Sequence, residues 1–144
     1  MTAKFSHMAT ALVEAPAEEV FAFLADPIKL GGWALGAFDT RPTAQEGVYL
    51  GRSLFDGSTG ALHIESAPAT LSILYHVGTE ATRFPRISAR VVPGATCGLP
   101  DDRCYASLLA WRPATMDDAR WERLCRAHEV EILLIAAQCA VECS

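Results

Sequence analysis

The chain has 144 residues, a net charge of −5, and a composition that is 51% hydrophobic and 20% charged. That balance is globular rather than disordered, and the length predicts one domain, 1–144, able to bury about two-thirds of its chain surface. With no long run of Lys and Arg, the acidic chain is a poor match for a nucleic-acid backbone or an anionic membrane surface.

The first twenty residues are expected not to be a secretory leader, because Ser6, His7 and Thr10 interrupt their apolar positions and acids follow at once. Lys4 to Glu14 alternates loosely and carries Thr and Val before a turn, which predicts a first strand. Pro16 sits where a first helical residue is favoured, with Glu18 and Glu19 in the first turn, and Ala17, Val20, Phe21 and Leu24 make a short helical stripe. Asp26-Pro27 ends it, since the residue before proline resists the helical region. Ile28 to Trp33 predicts a second short helical turn, in a glycine-rich corner.

From Phe38 onward the pattern is that of strands. Val48–Asp56, Ala61–Ser66, Thr70–Gly78, Arg86–Pro93 and Arg103–Trp111 are bounded by turn chemistry such as Asp56-Gly57, Phe84-Pro85 and Pro93-Gly94. The gaps leave no room for crossover helices, so the sheet should be antiparallel. Alternation places Leu71, Ile73, Tyr75 and Val77 on one face with Leu62 and Ile64, and His63, Glu65 and His76 on the other. Arg52, Arg90 and Arg103 fall on strands; an inward arginine could clamp a carboxylate, but Arg90 alternates with Ala89 and Val91 and should face outward.

The last stretch, Thr115 to Cys143, predicts a long amphipathic helix. Trp121, Leu124, Cys125, His128, Ile132, Ile135, Ala136 and Cys139 recur at spacings of three and four, and Thr115 with Asp118 fits a capping pattern. At about 1.5 Å per residue the rod is about 40 Å long, enough to cross a small domain. Its longest apolar run, Ile132 to Ala137, is too short for a membrane span. The five cysteines include no C-x-x-C pair, which predicts reduced thiols in a cytoplasmic setting. Cys125 and His128 share a face at i, i+3 without a second ligand pair, so packing rather than a metal is the expectation.

This order predicts an α+β fold: a curved antiparallel sheet of about seven strands, two short helices after the first strand, and a long C-terminal helix filling the concave face. A helix gripped by a bent sheet leaves a gap that becomes a cavity. Three stretches resemble the SRPBCC superfamily of START-like, helix-grip proteins, including those described as polyketide cyclase/dehydrase-like. They are VEAPAEEVFAFLADPIKLGGW from Val13, GRSLFDGSTGALHIESAPATLSILYHVG from Gly51, and SLLAWRPATMDDARWERLCRAHEVEILLI from Ser107. The resemblance implies a hydrophobic pocket for lipids, sterols, polyketides or hormones, and in some members cyclase or dehydratase activity. Other family members carry a cofactor-binding domain; with no space for one in 144 residues, no cofactor is expected here.

His128, midway along the helix, is the leading polar candidate, as a ligand contact or an acid or base near neutral pH. The competing reading is a core histidine bonded to backbone. Glu131 could orient His128 or stand as a solvated flank charge, and Tyr75 could offer its hydroxyl as a donor or simply pack. Trp33 is expected at the pocket mouth, with Leu62, Ile64, Ile73, Leu124 and Ile132 as walls. The expected function is binding of a small hydrophobic or amphipathic molecule. The alternative is a cyclase or dehydratase on a polyketide-like substrate with His128 as acid or base, and a third reading is a dimerising module with a filled core.

Overall fold

The computed structural model describes residues 4–142. Cys143, the expected end of the long helix, lies outside them. The chain opens with strand β1 (Ser6–Val13), followed by helices α1 (Ala17–Leu24) and α2 (Pro27–Leu30). Pro16 is the residue before α1, its carbonyl accepting from the Glu19 and Val20 N–H groups at 3.1 Å each. Asp26 does more than end α1. Its Oδ1 accepts from the Ile28 and Lys29 N–H groups at 2.9 and 3.3 Å and so starts α2, with Pro27 at the first helical position.

Six further strands follow: β2 (Phe38–Pro42), β3 (Tyr49–Arg52), β4 (Thr59–Ala67), β5 (Ser72–Gly78), β6 (Arg83–Pro93) and β7 (Cys104–Trp111). All neighbours are antiparallel, in the order β1-β7-β6-β5-β4-β3-β2. The first strand therefore pairs with the last, from Ser6↔Trp111 to Val13↔Cys104. Gly51 in β3 lies where a Cβ would meet the Ala37 backbone at 2.8 Å, so the strand can pass that segment only without a side chain.

Several strand boundaries differ from the sequence expectation, three of them for visible reasons. The strand expected to run to Asp56 ends at Arg52, because residues 53–58 close a turn: Ser53 N–H bonds the Ser58 carbonyl at 2.8 Å, and Asp56 Oδ1 accepts from Ser58 N–H at 2.9 Å. β5 begins at Ser72, after Leu71 takes a positive φ of 51° in the turn. β6 begins at Arg83, three residues early, running through Phe84-Pro85 rather than starting after it. It can do so because the register with β5 slips there: Tyr75 pairs with Ile87 and Val77 with Phe84. Two steps on β5 span three on β6, which is a β-bulge, one of the few places a sheet accepts proline.

The long helix α3 (Asp118–Glu142) has 25 residues, about 38 Å at 1.5 Å each. Asp117, not Thr115, caps it, its Oδ1 accepting from Arg120 N–H at 2.8 Å. Trp121, Cys125, Ile135 and Cys139 on α3 are fully buried, as are Val13, Leu24, Ile73 and Leu108 on the elements around it. The result is an α+β helix-grip fold, with α3 held in the concave face of the seven-stranded sheet. Among the described residues no helix is long and apolar enough to cross a membrane.

Candidate functional site

The helix and sheet do not meet everywhere. A cavity of about 340 Å³ lies between α3, the inner faces of β4 to β7 and the loop after α2. Of the residues expected at a site, Trp33, Leu62, Tyr75, Leu124, His128 and Glu131 line it. Ile73 and Ile132 are 0% and 3% exposed but stand in the packed core, and Ile64 packs against that core as well. None of these three lines the cavity. Trp33 is placed differently from the expected mouth. It is 3% exposed and forms an inner wall, edge-on to Tyr75 with ring centroids 6.0 Å apart.

The mouth is built from polar groups that join α3 to the turn after β3. Arg123 lies over the Phe55 ring at 4.8 Å and reaches Asp56 Oδ2 at 3.7 Å. The Ser58 hydroxyl and backbone N–H hold the Asp56 carboxyl down to about 2, so Asp56 is ionised at this rim. Arg120 lines the same edge of the cavity.

Deeper in, three polar side chains from the expected set meet different fates. The Tyr75 hydroxyl donates to the Leu24 carbonyl at 2.7 Å, closing the C-terminal end of α1. Burial raises its pKa well above the ordinary range, so it stays a phenol. Its proton is thus committed, and only its oxygen lone pairs remain as acceptors. Glu131 is not the solvated flank charge that its place at the edge of the stripe suggested. It is 5% exposed, and its Oε2 accepts from Leu35 N–H at 2.7 Å, pinning the loop after α2 to α3. Burial outweighs that bond and raises the carboxyl to about 8, so it is protonated near neutral pH.

His128 is 5% exposed. Burial first, then the neighbouring charges of His7 and Arg86, lower its pKa to about 4. Its Nε2 lies 3.8 Å from Glu131 Oε1, too far for a hydrogen bond. Burial drives both groups neutral, so the contact is not a fixed ion pair. His128 Nδ1 is buried with no hydrogen-bond partner, as is Trp33 Nε1. Both nitrogens are sealed in by their neighbours, so each carries an unmet hydrogen bond.

Several lining residues escape sequence reasoning, among them Arg120 and Arg123 at the rim, and Arg86 has the clearest cause. Arg86 sits beside Ile87, which faces inward opposite Tyr75, so strict alternation would send Arg86 out. The bulge breaks that alternation and turns Arg86 into the cavity with Ile87. The signal was Phe84-Pro85, a proline inside a strand-like run, which marks a bulge as readily as a turn. The outward residues do lie outside: His63 and His76 stack at 4.1 Å on the opposite face, tied to Arg83 and Glu65 at 2.7 and 2.9 Å. Among the described residues no cluster of three or more His, Cys, Asp or Glu is placed to hold a metal ion.

Comparison with known proteins bears on the fold. No family model matches the chain, and no curated protein matches it. Solved structures do match along almost the whole chain. An uncharacterised protein from Bacillus thuringiensis superposes with a TM-score of 0.68 at 12% identity, covering 95% of this chain and 99% of its own. An aromatase/cyclase from a Streptomyces species gives 0.59 at 18% identity, covering 93% and 94%. A START superfamily protein from Mycobacterium smegmatis gives 0.57 at 16%, covering 90% and 99%. The chain therefore has an SRPBCC-type, START-like fold; at such identities the likeness concerns architecture alone.

Proposed function

We propose that this protein binds a small apolar or amphipathic molecule in the cavity between the sheet and α3. The observation that carries the reading is the cavity itself, about 340 Å³, with walls that include Trp33, Leu62, Val77, Leu108 and Leu124 and a few polar atoms set among them. Apolar walls with sparse, unsatisfied polar groups are the usual makeup of a ligand pocket, and the volume is near the lower end of the usual range. The cavity counts against a dimerising module with a filled core. Cys125 is a buried free thiol, which suits a reducing, cytoplasmic setting.

Native mass spectrometry of freshly purified protein tests the reading: a co-purified species of a few hundred daltons, released on unfolding, supports it. In His128→Ala the affinity for that species should fall more than the stability does. A variant that only melts earlier would return His128 to a purely structural role.

The second reading is an enzyme, a cyclase or dehydratase on a polyketide-like substrate. It draws on the likeness to an aromatase/cyclase and on two titratable groups side by side in the cavity. In that case the protonated Glu131 is the better proton donor and neutral His128 the acceptor, although a pKa near 4 makes His128 a weak base. Turnover that survives His128→Ala unchanged would remove the acid/base role.

A further inference from the structure

The cavity holds a positive charge that the protein does not balance. Arg86 enters it from the bulge in β6, with Nη1 buried and without a hydrogen-bond partner. Among the described residues Arg86 forms no ion pair. Two other arginines line the cavity: Arg123 is matched by Asp56 at 3.7 Å, while Arg120, at the exposed edge, has no carboxylate partner among the described residues. Of the lining acids, Asp56 is therefore already paired at the rim. Glu131 faces Leu35 N–H and is kept protonated by burial. A chain with a net charge of −5 thus encloses an excess of positive charge at this one place.

A partly desolvated guanidinium without a partner is costly, and the group that fits its planar fork is a carboxylate. Two other residues that line the cavity also carry buried nitrogens without partners, the donor-only Trp33 indole N–H and His128 Nδ1. The remaining walls, Leu62, Val77, Ile87, Leu108 and Leu124, want hydrocarbon. We propose that the ligand is an apolar monocarboxylate, its carboxylate on Arg86 and its hydrocarbon body against these walls. This rests on the reading that the cavity binds a small molecule. Arg120 at the edge adds long-range attraction for the same sign of charge. A dianion such as a phosphate monoester fits less well, because its second charge would have only Arg120, at the exposed edge, to balance it.

The test is a set of matched probes titrated into the full chain by calorimetry at pH 7: 2-naphthoate, 2-naphthamide and 2-naphthyl phosphate. The naphthoate should bind about ten-fold or more tightly than the amide, the scale of a charge-assisted hydrogen bond, and more tightly than the phosphate. In Arg86→Gln the acid should fall to the affinity of the amide, while the amide changes little. Arg86→Lys, which keeps the charge but not the fork, should recover part of the preference. An amide that binds wild type as tightly as the acid overturns the proposal while leaving the pocket reading intact. So does a phosphate that binds more tightly than the acid, or an Arg86→Gln variant that keeps the preference. If Arg86→Gln does not fold, the wild-type ratio of acid to amide decides alone. If no naphthalene binds up to millimolar concentration, the pocket reading fails and the carboxylate falls with it.

Discussion

Glu131→Gln probes the electrostatics of the cavity with almost no change of shape. The glutamine keeps an oxygen for the Leu35 N–H but has nothing to ionise. In the wild type, burial raises the Glu131 carboxyl from 4.5 to about 8. A group raised in this way holds its proton in the folded state after the unfolded chain has lost it. Its contribution to stability is full below 4.5 and is lost as pH rises through about 8. His128 works in the opposite sense: with a folded value near 4 against 6.5 unfolded, its contribution is complete above 6.5 and is lost as pH falls toward 4. Between these limits the two slopes nearly cancel. Above 6.5 Glu131 acts alone, and the interval from 6.5 to about 8, at about 1.36 kcal/mol per pH unit, gives a loss of about 2 kcal/mol. Urea unfolding of wild type and Glu131→Gln at pH 6.5 and pH 8 reads this as a difference of differences, which cancels the groups common to both. The wild type should lose about 2 kcal/mol more than the variant over that interval. Two curves that stay parallel to within about 0.5 kcal/mol would refute a protonated, buried Glu131.

The same geometry sets three further outcomes. Tyr75→Phe strands the buried Leu24 carbonyl and should cost about 1–3 kcal/mol in urea unfolding, with no gain at any pH. Gly51→Ala forces a Cβ to within 2.8 Å of the Ala37 backbone, where no flexible side chain can yield, and should lower stability by about 1–3 kcal/mol. The His128 ring, followed by nitrogen NMR, should remain neutral down to about pH 5 and titrate near 4; a midpoint at its ordinary 6.5 would show that the ring is solvated.

The architecture was legible because it rests on periodicity. A stripe from Trp121 to Cys139 at helical spacing has one stable use in a chain of this length, and short strand gaps forbid anything but antiparallel pairing. Alternation also separated Tyr75 and Leu62 from His63 and His76 correctly, since β4 and β5 pair in unbroken register from Ala61↔Gly78 to Ala67↔Ser72. It would fail at Arg86, where one extra residue in β6 reverses the inward and outward parity along the strand. Glu131 misled for a different reason. Its position at the stripe's edge looks solvated on a lone helix, and only the loop after α2, folding back to present Leu35 N–H, covers it. Trp33 looked like a rim residue because glycines surround it. The indole lies inside instead, and of those glycines Gly31 sits so close to Thr40 that no Cβ would fit.

The most direct measurement tracks the methyl groups of the protein by carbon–proton NMR while 2-naphthamide, a neutral probe that does not depend on Arg86, is added. The methyls of Leu62, Val77, Ile87, Leu108 and Leu124 should shift together, while exposed Leu74 and Ile28 stay still. Shifts confined to the outer methyls, or none at the inner five at millimolar probe, would contradict a ligand-binding space between the sheet and α3.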